Sequence, residues 1–451
     1  MIPEELLTNA AARAQHYLET AAQRHVLPSA DALAGLQELE EDLPTQPTDP
    51  ALVLAMLDEI GSPATTTSAG PRYFGFVTGG TLPVALAASW LAGAWDNNGA
   101  FIVQSPISAK LEEVALEWLI DLFGFPATTG AGFVTGATMA NFTALAAARH
   151  ALLQRQGWDV EAEGLFGAPP LTVLVGEEVH VSALKALSML GLGRERVTRV
   201  PVDDNGAMRP DALPPLDAKT ILILQAGNVN TGASDPVGEL CTRARDSGAW
   251  VHVDGAFGLW AAAAPQRAHL VAGIGEADSW ATDTHKWLNV SYDSGIVFCR
   301  NPEYLRAAMS ANAAYLATTD AREPSHHTPE MSRRARGIEV WAALRSLGRS
   351  GIADLIERNC QYAMRFATGL RAAGYEILND VVLNQVMVSF GDNDTTRRVL
   401  TAVQQEGTCW CGGTTWRGRA AMRISVSSWA TTPADVEQSL DAIIRVAKQA
   451  L

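Results

Sequence analysis

The segment Asp283-Thr-His-Lys-Trp287 carries residue types that could do covalent chemistry. A lysine amine can bind an aldehyde, and a carboxylate can keep the nitrogen of a heterocyclic ring protonated so that the ring accepts electrons from a bound substrate. A suitable carboxylate is available at Asp254, which ends a strand-like run that begins at Trp250. Lys286 and Asp254 therefore predict a site for an aldehyde carried on an aromatic ring.

Three further polar clusters follow strand-like runs. Gly136-Ala-Thr-Met-Ala-Asn141 joins a short strand to a helix, and a helix N-terminus that follows a glycine offers backbone N–H groups to an anion. His180 and the turn Gly227–Gly232 each follow a later apolar run. Ligands of open parallel sheets lie beyond the carboxyl ends of the strands. We therefore expect these clusters and Asp254 to converge on one edge of a sheet.

The elements that position these clusters alternate between strands and helices in the middle of the chain. Apolar, β-branched runs separated by helices predict a mainly parallel central sheet covered on both faces. The sequence thus predicts an α/β fold in three parts. These are a helical N-terminal segment (1–70), a large α/β domain that holds the site (71–337) and a small α+β C-terminal domain (338–451).

Composition and charge narrow the class of protein. Hydrophobic residues make up 47% of the chain and charged residues 18%, as in globular proteins, and no window reaches the roughly 20 apolar residues of a membrane span. The first residues lack the basic and apolar regions of a signal peptide, so a cytoplasmic protein is expected. The net charge of −15 argues against a nucleic acid or membrane partner. The five cysteines predict no disulfide framework, and no metal site is expected.

Several motifs occur in an order and at spacings that resemble one known family. They are Gly136–Asn141, Glu178-Val-His180, His252-Val-Asp254-Gly-Ala256-Phe257 and Thr284-His-Lys286-Trp287. This set resembles the pyridoxal phosphate (PLP)-dependent decarboxylases of the glutamate and aromatic amino acid group, which belong to the fold-type I, aminotransferase-like superfamily. The likeness extends from about Tyr73 to the C-terminus and includes the element Ser332–Trp341.

The resemblance implies a PLP-dependent decarboxylase of an L-amino acid and a role for each matching residue. Lys286 would hold the aldehyde of the cofactor, and Asp254 would pair with its pyridine nitrogen. His180 and Ala256 would lie against opposite faces of the ring. The residues implied around the phosphate or near the cofactor are Gly136, Ala137, Thr138, His285 and Asn228. Family members are dimers with the active site at the subunit interface, so the resemblance also implies a homodimer that acts on a small-molecule amino acid.

Two departures from the family leave the reaction open. The aromatic amino acid decarboxylases have a tyrosine in a loop before the Ser332–Trp341 element, where it protonates the substrate carbon, whereas residues 317–331 of this chain have none. His327 or His326 is the predicted proton donor, because an imidazole titrates near neutrality, although both histidines are equally compatible with a solvated loop. Asp283-Thr-His-Lys286 resembles the matching element of sphingosine-phosphate lyases. A carbon–carbon lyase, a decarboxylation-coupled oxidative deaminase and a non-catalytic protein of the same fold are therefore the alternatives.

The expected substrate is an apolar or aromatic amino acid in preference to an acidic one. Candidates for an apolar pocket are Tyr73, Phe74, Phe76, Trp95 and Phe101. Arg417 or Arg423 could bind a carboxylate through a bidentate pair. Aromatic residues at such positions are more often part of the core, and the arginines are equally compatible with structural roles.

Overall fold

The computed structural model describes residues 4–311 and 322–450. The described residues divide into two compact units. The first contains the residues up to Thr78, Arg365–Leu378 and the residues from Met387 onward, and the second contains Gly79–Met364 and Asn379–Val386. The three-part division predicted at residues 70 and 337 stays a prediction.

Helices and strands alternate along much of the chain. In the described residues the α-helices are α1 (Glu4–Thr20), α2 (Ala30–Gly35), α3 (Pro50–Met56), α4 (Pro83–Trp95), α5 (Pro106–Leu122), α6 (Ala137–Gln154), α7 (Val160–Glu163), α8 (Val181–Met189), α9 (Val237–Ser247), α10 (Pro302–Met309), α11 (Arg336–Ala372), α12 (Asn393–Glu406) and α13 (Pro433–Ala450). The β-strands are β1 (Tyr73–Phe74), β2 (Gly130–Val134), β3 (Thr172–Gly176), β4 (Thr198–Val200), β5 (Thr220–Gln225), β6 (Trp250–Asp254), β7 (Ser279–Asp283), β8 (Gly295–Cys299), β9 (Glu376–Ile377), β10 (Gln385–Ser389), β11 (Trp410–Trp416) and β12 (Arg419–Ser425). Helix α11 is interrupted at Gly348, whose φ is 59°.

A seven-stranded sheet, counted over the described residues, forms the centre of the second unit. Its strand order is β2-β8-β7-β6-β5-β3-β4. Strands β3 to β7 pair in parallel, and β8 runs antiparallel to both of its neighbours, β2 and β7. The predicted α/β fold with a mainly parallel sheet is confirmed. Since β2, β3, β5, β6 and β7 run in one direction, their carboxyl ends lie on one edge of the sheet, where the polar clusters follow.

Helix α6 packs across β6, β7 and β8 and brings its N-terminus to that edge. The helix is rich in alanine, and Ala144, Ala147 and Ala151 are fully buried, so its backbone can lie close to the sheet. Leu145 is also fully buried within this core. Burial of such a leucine contributes about 1.5–3 kcal/mol to folding. Tight packing therefore fixes the helix that begins directly after Gly136.

The first unit contains a five-stranded sheet, again counted over the described residues, in the order β1-β11-β12-β10-β9. Strands β11 and β12 form a hairpin whose turn residues Arg417 and Gly418 have φ of 49° and 79°, as in a type I′ turn. Helices α12 and α13 pack together, and α12 also packs on the hairpin. Tyr73 and Phe76 both stack on Trp410 within this unit. The predicted α+β character of the C-terminal part is confirmed.

The described residues contain neither a membrane-spanning helix nor a metal-binding cluster. None of the described helices is long and apolar enough to cross a lipid bilayer. No group of three or more histidine, cysteine or acidic side chains in the described ranges has an arrangement that could hold a metal ion.

Candidate active site

Lys286 follows strand β7 and faces Asp283, the last residue of that strand. Its Nζ lies 2.9 Å from Oδ2 of Asp283, whose side chain is only 3% exposed. Burial alone would lower the pKa of Lys286, but the carboxylates of Asp283 and Asp254 outweigh it and raise the pKa above its ordinary value. The amine is therefore held as an ammonium ion paired with the carboxylate of Asp283.

The N-terminus of α6 lies against the same carboxylate. The backbone N–H of Ala137 donates to Oδ1 of Asp283 at 2.6 Å. A Cβ added to Gly136 would lie 3.2 Å from Cε1 of His285 and 3.3 Å from Oδ1 of Asp283, which is tighter than ordinary contact. Thr138 is in the first turn and is partly exposed. The N–H groups of this first turn and the dipole of an 18-residue helix favour an anion here.

His285 lies on the other side of the N-terminus of α6. Its Nδ1 accepts a hydrogen bond from the backbone N–H of Ser294, and its ring stacks on Tyr292 with the centroids 4.2 Å apart. Burial lowers the pKa of His285, so the imidazole is neutral near pH 7. Because Nδ1 accepts, the proton resides on Nε2, which lies 3.7 Å from Oδ1 of Asp283. The ring therefore presents one N–H donor at the N-terminus of α6.

Asp254 ends strand β6 and is 5% exposed. Its Oδ2 accepts a hydrogen bond from Nδ2 of Asn141 at 2.8 Å and a longer one from the hydroxyl of Ser182 at 3.4 Å. Its Oδ1 accepts from the backbone N–H of Ala256 at 3.2 Å, and Ala256 is itself partly exposed. Donors from α6, α8 and the β6 loop thus hold both oxygens of one buried carboxylate.

His180 caps the N-terminus of α8. Its backbone N–H donates to Oε1 of Gln225 at 3.1 Å, and its Nδ1 lies 2.8 Å from Oγ of Ser182. Since Ser182 also contacts Asp254, one hydroxyl connects the imidazole with the carboxylate. His180 is therefore held through its backbone N–H and through Nδ1 of its imidazole ring.

Asn228 lies in the turn after β5 and is 1% exposed. Its Oδ1 accepts from the backbone N–H groups of Asn230 and Thr231, at 2.9 and 3.3 Å. Its Nδ2 is buried and has no hydrogen-bond partner among the described residues. A buried amide donor without a partner costs free energy, so this group is available to a ligand.

His327 has different surroundings from the residues above. It ends the short turn Pro324–His327, is 5% exposed, and its Nδ1 lies 3.2 Å from the carbonyl oxygen of Glu323. Burial, with the charge of Arg322, lowers the pKa of His327 to about 3. The imidazole is neutral at pH 7, which gives no support to the predicted proton-donor role. That role stays a prediction, and residues 317–321 of the same loop lie outside the described residues.

Sequence reasoning assigned no role to Asn141, Ser182 and Asp283, which the structure places in contact with Asp254 or Lys286. Asn141 and Asp283 lay inside motifs that were recognised, so their polar side chains were the available signal. Ser182 follows His180 by two residues and has the composition of an ordinary helix start. Its contact with Asp254 depends on the packing of α8, which sequence does not show.

The residues on this edge fit pyridoxal phosphate. A cationic lysine is paired with Asp283 and influenced by the charge of Asp254, a helix N-terminus with Gly136 and His285 offers donors to a phosphate, and the amide of Asn228 is buried without a partner among the described residues. With the order of the seven-stranded sheet, these features define a fold-type I PLP-dependent enzyme.

Comparison with known proteins gives the family. The family model described as "Pyridoxal-dependent decarboxylase conserved domain" matches residues 34–390. The chain is 25% identical over 435 residues to the aromatic-L-amino-acid decarboxylase of Bacillus atrophaeus, covering 91% of this chain and 88% of that protein. It is 31% identical over 367 residues to the aspartate 1-decarboxylase of Aliivibrio fischeri, covering 74% and 66%. The crystal structure of Oryza sativa TDC with PLP and tryptamine is similar with a TM-score of 0.91 and 22% identity, covering 99% of this chain and 97% of that one.

The chain belongs to the pyridoxal-dependent decarboxylase family and is a PLP-dependent amino acid decarboxylase. The resemblance stated from the sequence motifs is thereby confirmed, as is the cofactor. The carbon–carbon lyase, the oxidative deaminase and the non-catalytic protein are not better supported by these comparisons.

Proposed function

We propose that this enzyme decarboxylates an aromatic L-amino acid to carbon dioxide and the corresponding amine, with Lys286 as the residue that binds the cofactor. The observation that carries the proposal is the partly buried Lys286, whose Nζ lies 2.9 Å from Oδ2 of Asp283 and is influenced by the charge of Asp254. The aromatic class is supported by the relative from Bacillus atrophaeus and by Tyr292. This ring stacks on His285 beside Lys286 and is 57% exposed, so it offers an aromatic surface to a substrate.

Each residue around the edge has a proposed role. Lys286 would bind the aldehyde, and Asp254 would meet the pyridine nitrogen. His180 and Ala256 would lie against the two faces of the ring. The proposed phosphate and neighbouring contacts are Gly136, Ala137, Thr138, His285 and Asn228. When bound, PLP supplies a sink for the electron pair that remains as carbon dioxide leaves.

Neighbouring side chains determine the protonation of Lys286 and fix the position of His180, which would contact the cofactor ring. The ammonium of Lys286 must lose a proton from Nζ to solvent before it can act as a nucleophile. Asp283, whose Oδ2 lies 2.9 Å away, stabilises the ammonium form and so sets the pH at which the neutral amine is available. His180 is held by Gln225 and Ser182, so a flat ligand would meet a preset imidazole and little rotamer entropy would be lost. The aromatic surface and the fixed imidazole together favour a planar substrate complex.

The test of the reaction is a product assay over a substrate panel. The PLP-loaded protein is incubated separately with tryptophan, tyrosine, phenylalanine, aspartate and glutamate, and carbon dioxide, amine, aldehyde, ammonia and peroxide are quantified. We expect carbon dioxide and amine in equal amounts from an aromatic substrate, and none from Lys286→Ala. If aspartate is the only amino acid that is decarboxylated, the proposal of an aromatic substrate is contradicted. Aldehyde with ammonia and peroxide would establish the oxidative reaction instead.

We also propose that the enzyme is a homodimer. Helix α4 exposes four large apolar side chains, Val84 (38%), Trp90 (49%), Leu91 (56%) and Trp95 (43%), and exposed apolar surface of this kind marks protein interfaces. Light scattering after size exclusion should give twice the mass of the chain. Trp90→Glu with Leu91→Glu should give the monomer, whereas Leu43→Glu, at a side chain 92% exposed elsewhere, should not. A monomeric wild type would contradict the proposal.

A cytoplasmic location is proposed as well. All five cysteines are buried and unpaired, and cytoplasmic proteins keep their thiols reduced. Cell fractionation of the native host tests this location, and recovery in a membrane or extracellular fraction would contradict it.

A further inference from the structure

Behind Asp254, a chain of buried polar side chains crosses strands β6 and β7 and reaches helix α6. Nε1 of Trp250 donates to Oγ of Ser279 at 2.9 Å, and the same Oγ lies 2.9 Å from Nδ1 of His252. Nε2 of His252 lies 2.8 Å from Oδ1 of Asn141, and Nδ2 of Asn141 lies 2.8 Å from Oδ2 of Asp254. No member of the chain is more than 5% exposed. Four consecutive contacts therefore connect an indole to the carboxylate without solvent.

The two ends of the chain determine the position of every proton in it. The indole N–H of Trp250 can only donate, so Oγ of Ser279 accepts this hydrogen bond. The hydroxyl proton of Ser279 is then donated to Nδ1 of His252. An amide oxygen can only accept, so His252 carries its proton on Nε2 and donates it to Asn141. Burial lowers the pKa of His252 to about 4, so the ring is neutral near pH 7 and has a single proton, as this order requires. The hydrogen bonds therefore all run in one direction and end on Asp254.

The surroundings of this chain are apolar. The adjacent core contains Val134, Ala140, Val175 and Ile223, and apolar side chains could fill the same positions without the cost of burying polar groups. His252 and Asp254 are two residues apart on one strand and so lie on the same face, beneath α6. The effect of polar residues here is to present an amide donor at a fixed point beside Oδ2 of Asp254.

We propose that Ser279, His252 and Asn141 are positioning residues that hold the carboxylate of Asp254 in the orientation that meets the pyridine nitrogen of the cofactor. The inference rests on the proposed role of Asp254. The other contacts of this carboxylate, with Ser182 at 3.4 Å and the N–H of Ala256 at 3.2 Å, are longer than the contact with Asn141. Loss of Asn141 should therefore leave the carboxylate held only by the two longer contacts, so that its orientation is less restricted.

The experiment compares variants of the full-length protein by two measurements. The dissociation constant of PLP is obtained from quenching of tryptophan fluorescence, and the orientation of bound PLP from its visible circular dichroism. Asn141→Ala and His252→Leu should weaken PLP binding about tenfold, the expected loss for one hydrogen bond to a charged group, and should change the dichroism. Thr143→Val is the matched control, because Thr143 is buried on the same helix and its hydroxyl donates only to the carbonyl of Met139.

His252→Gln separates the hydrogen-bond order from a general effect on packing. A glutamine amide can accept from Ser279 and donate to Asn141, so this variant should bind PLP within about threefold of wild type, a difference below one hydrogen bond. If glutamine behaves like leucine, the directional role of His252 is overturned. Thermal unfolding of the apoproteins identifies variants that do not fold. If His252→Leu does not fold, the comparison of Asn141→Ala with Thr143→Val decides whether the positioning role is correct.

Asp254→Asn distinguishes this inference from the proposed function. If Asp254→Asn changes PLP binding and dichroism while Asn141→Ala and His252→Leu match wild type, the positioning chain is rejected and the role of Asp254 stands. If Asp254→Asn also matches wild type, the proposed pairing of Asp254 with the cofactor is itself rejected. Loss in all three variants, with rescue by His252→Gln, supports both.

Discussion

The ε-amino nitrogen of Lys286 lies 2.9 Å from Oδ2 of Asp283, three positions before it at the end of β7. The other oxygen of Asp283 accepts a hydrogen bond from the N–H of Ala137, so one carboxylate contacts both the lysine and the N-terminus of α6. This carboxylate stabilises the ammonium form of Lys286, whereas covalent binding of an aldehyde requires the neutral amine. Cofactor binding should therefore depend on pH through this pair.

Asp283→Asn tests this dependence. Without the carboxylate, burial becomes the dominant influence and the pKa of Lys286 should fall, so PLP should attach at a lower pH than in wild type. The measurement is the rate of PLP attachment by absorbance between about pH 6 and pH 9. Asp278→Asn is the control, because Asp278 accepts a backbone N–H from Val251 on the same sheet and takes no part in the site. Identical pH profiles for Asp283→Asn and wild type would contradict the argument.

Gly136→Ala tests the anion site at the start of α6. The added Cβ would lie 3.2 Å from His285 and 3.3 Å from Asp283, so these groups would have to move from the place where a phosphate would bind. We expect PLP affinity to fall about tenfold, which corresponds to the loss of one charge-assisted contact. Gly35→Ala, where a new Cβ has nothing within 4 Å, should have no effect. Unchanged PLP affinity in Gly136→Ala would place the phosphate elsewhere.

His327→Gln tests the proton-donor role predicted from the sequence. Since the pKa of His327 is about 3, its imidazole has no excess proton to give at pH 7. We expect amine formation within about twofold of wild type, less than the 10²–10⁴-fold contribution of a general acid. His326→Gln, at the neighbouring position, is the companion variant. A fall of more than about tenfold in His327→Gln, with PLP absorbance intact, would restore the donor role.

The same substitution should change how stability depends on pH. The pKa of His327 is about 3 in the folded protein and near 6.5 in the unfolded protein. The free energy of unfolding is therefore unaffected by this histidine above pH 6.5 and decreases as the pH falls from 6.5 toward 3. At about pH 5 this loss is about 2 kcal/mol, at 1.36 kcal/mol per unit. Asp235 and Glu339, whose pKa values burial raises to about 6, act in the opposite direction.

The contribution of His327 must therefore be isolated by comparison. Urea unfolding of wild type and His327→Gln apoproteins at about pH 7.5 and pH 5 gives the free energy of unfolding of each. The advantage of wild type over the variant should shrink by about 2 kcal/mol between the two conditions. A constant difference would show that the histidine is not buried in its neutral form.

The sequence was sufficient to predict most of the sheet and the residues that follow its strands. Apolar runs such as Thr220–Gln225 are long enough to identify as buried parallel strands, and polar residues after them lie on one edge by topology. Strand β7 was not predicted, because Ser279–Asp283 has no run of β-branched residues. Its position is determined by pairing with β6 and β8, which depends on the whole sheet.

The interactions between the site residues were less predictable than their identities. Asn141 and His252 are separated by 111 positions, and only the packing of α6 on β6 brings them to 2.8 Å. The spacing of His252 and Asp254 places both on one face of a strand. The spacing does not show that Asn141 lies between them and forms hydrogen bonds with both. For His327, residue type suggested acid–base chemistry, whereas burial, which local sequence does not report, lowers its pKa.

The most direct test of the account is the identity of the residue that carries the cofactor. The PLP-loaded enzyme is reduced with borohydride, digested, and its peptides are analysed by mass spectrometry. We predict one reduced PLP adduct, on Lys286, which is lost in Lys286→Ala and kept in Lys185→Ala, where the lysine is exposed on α8. An adduct on Lys185 or Lys219, or none at all in a protein that has bound PLP, would contradict the account.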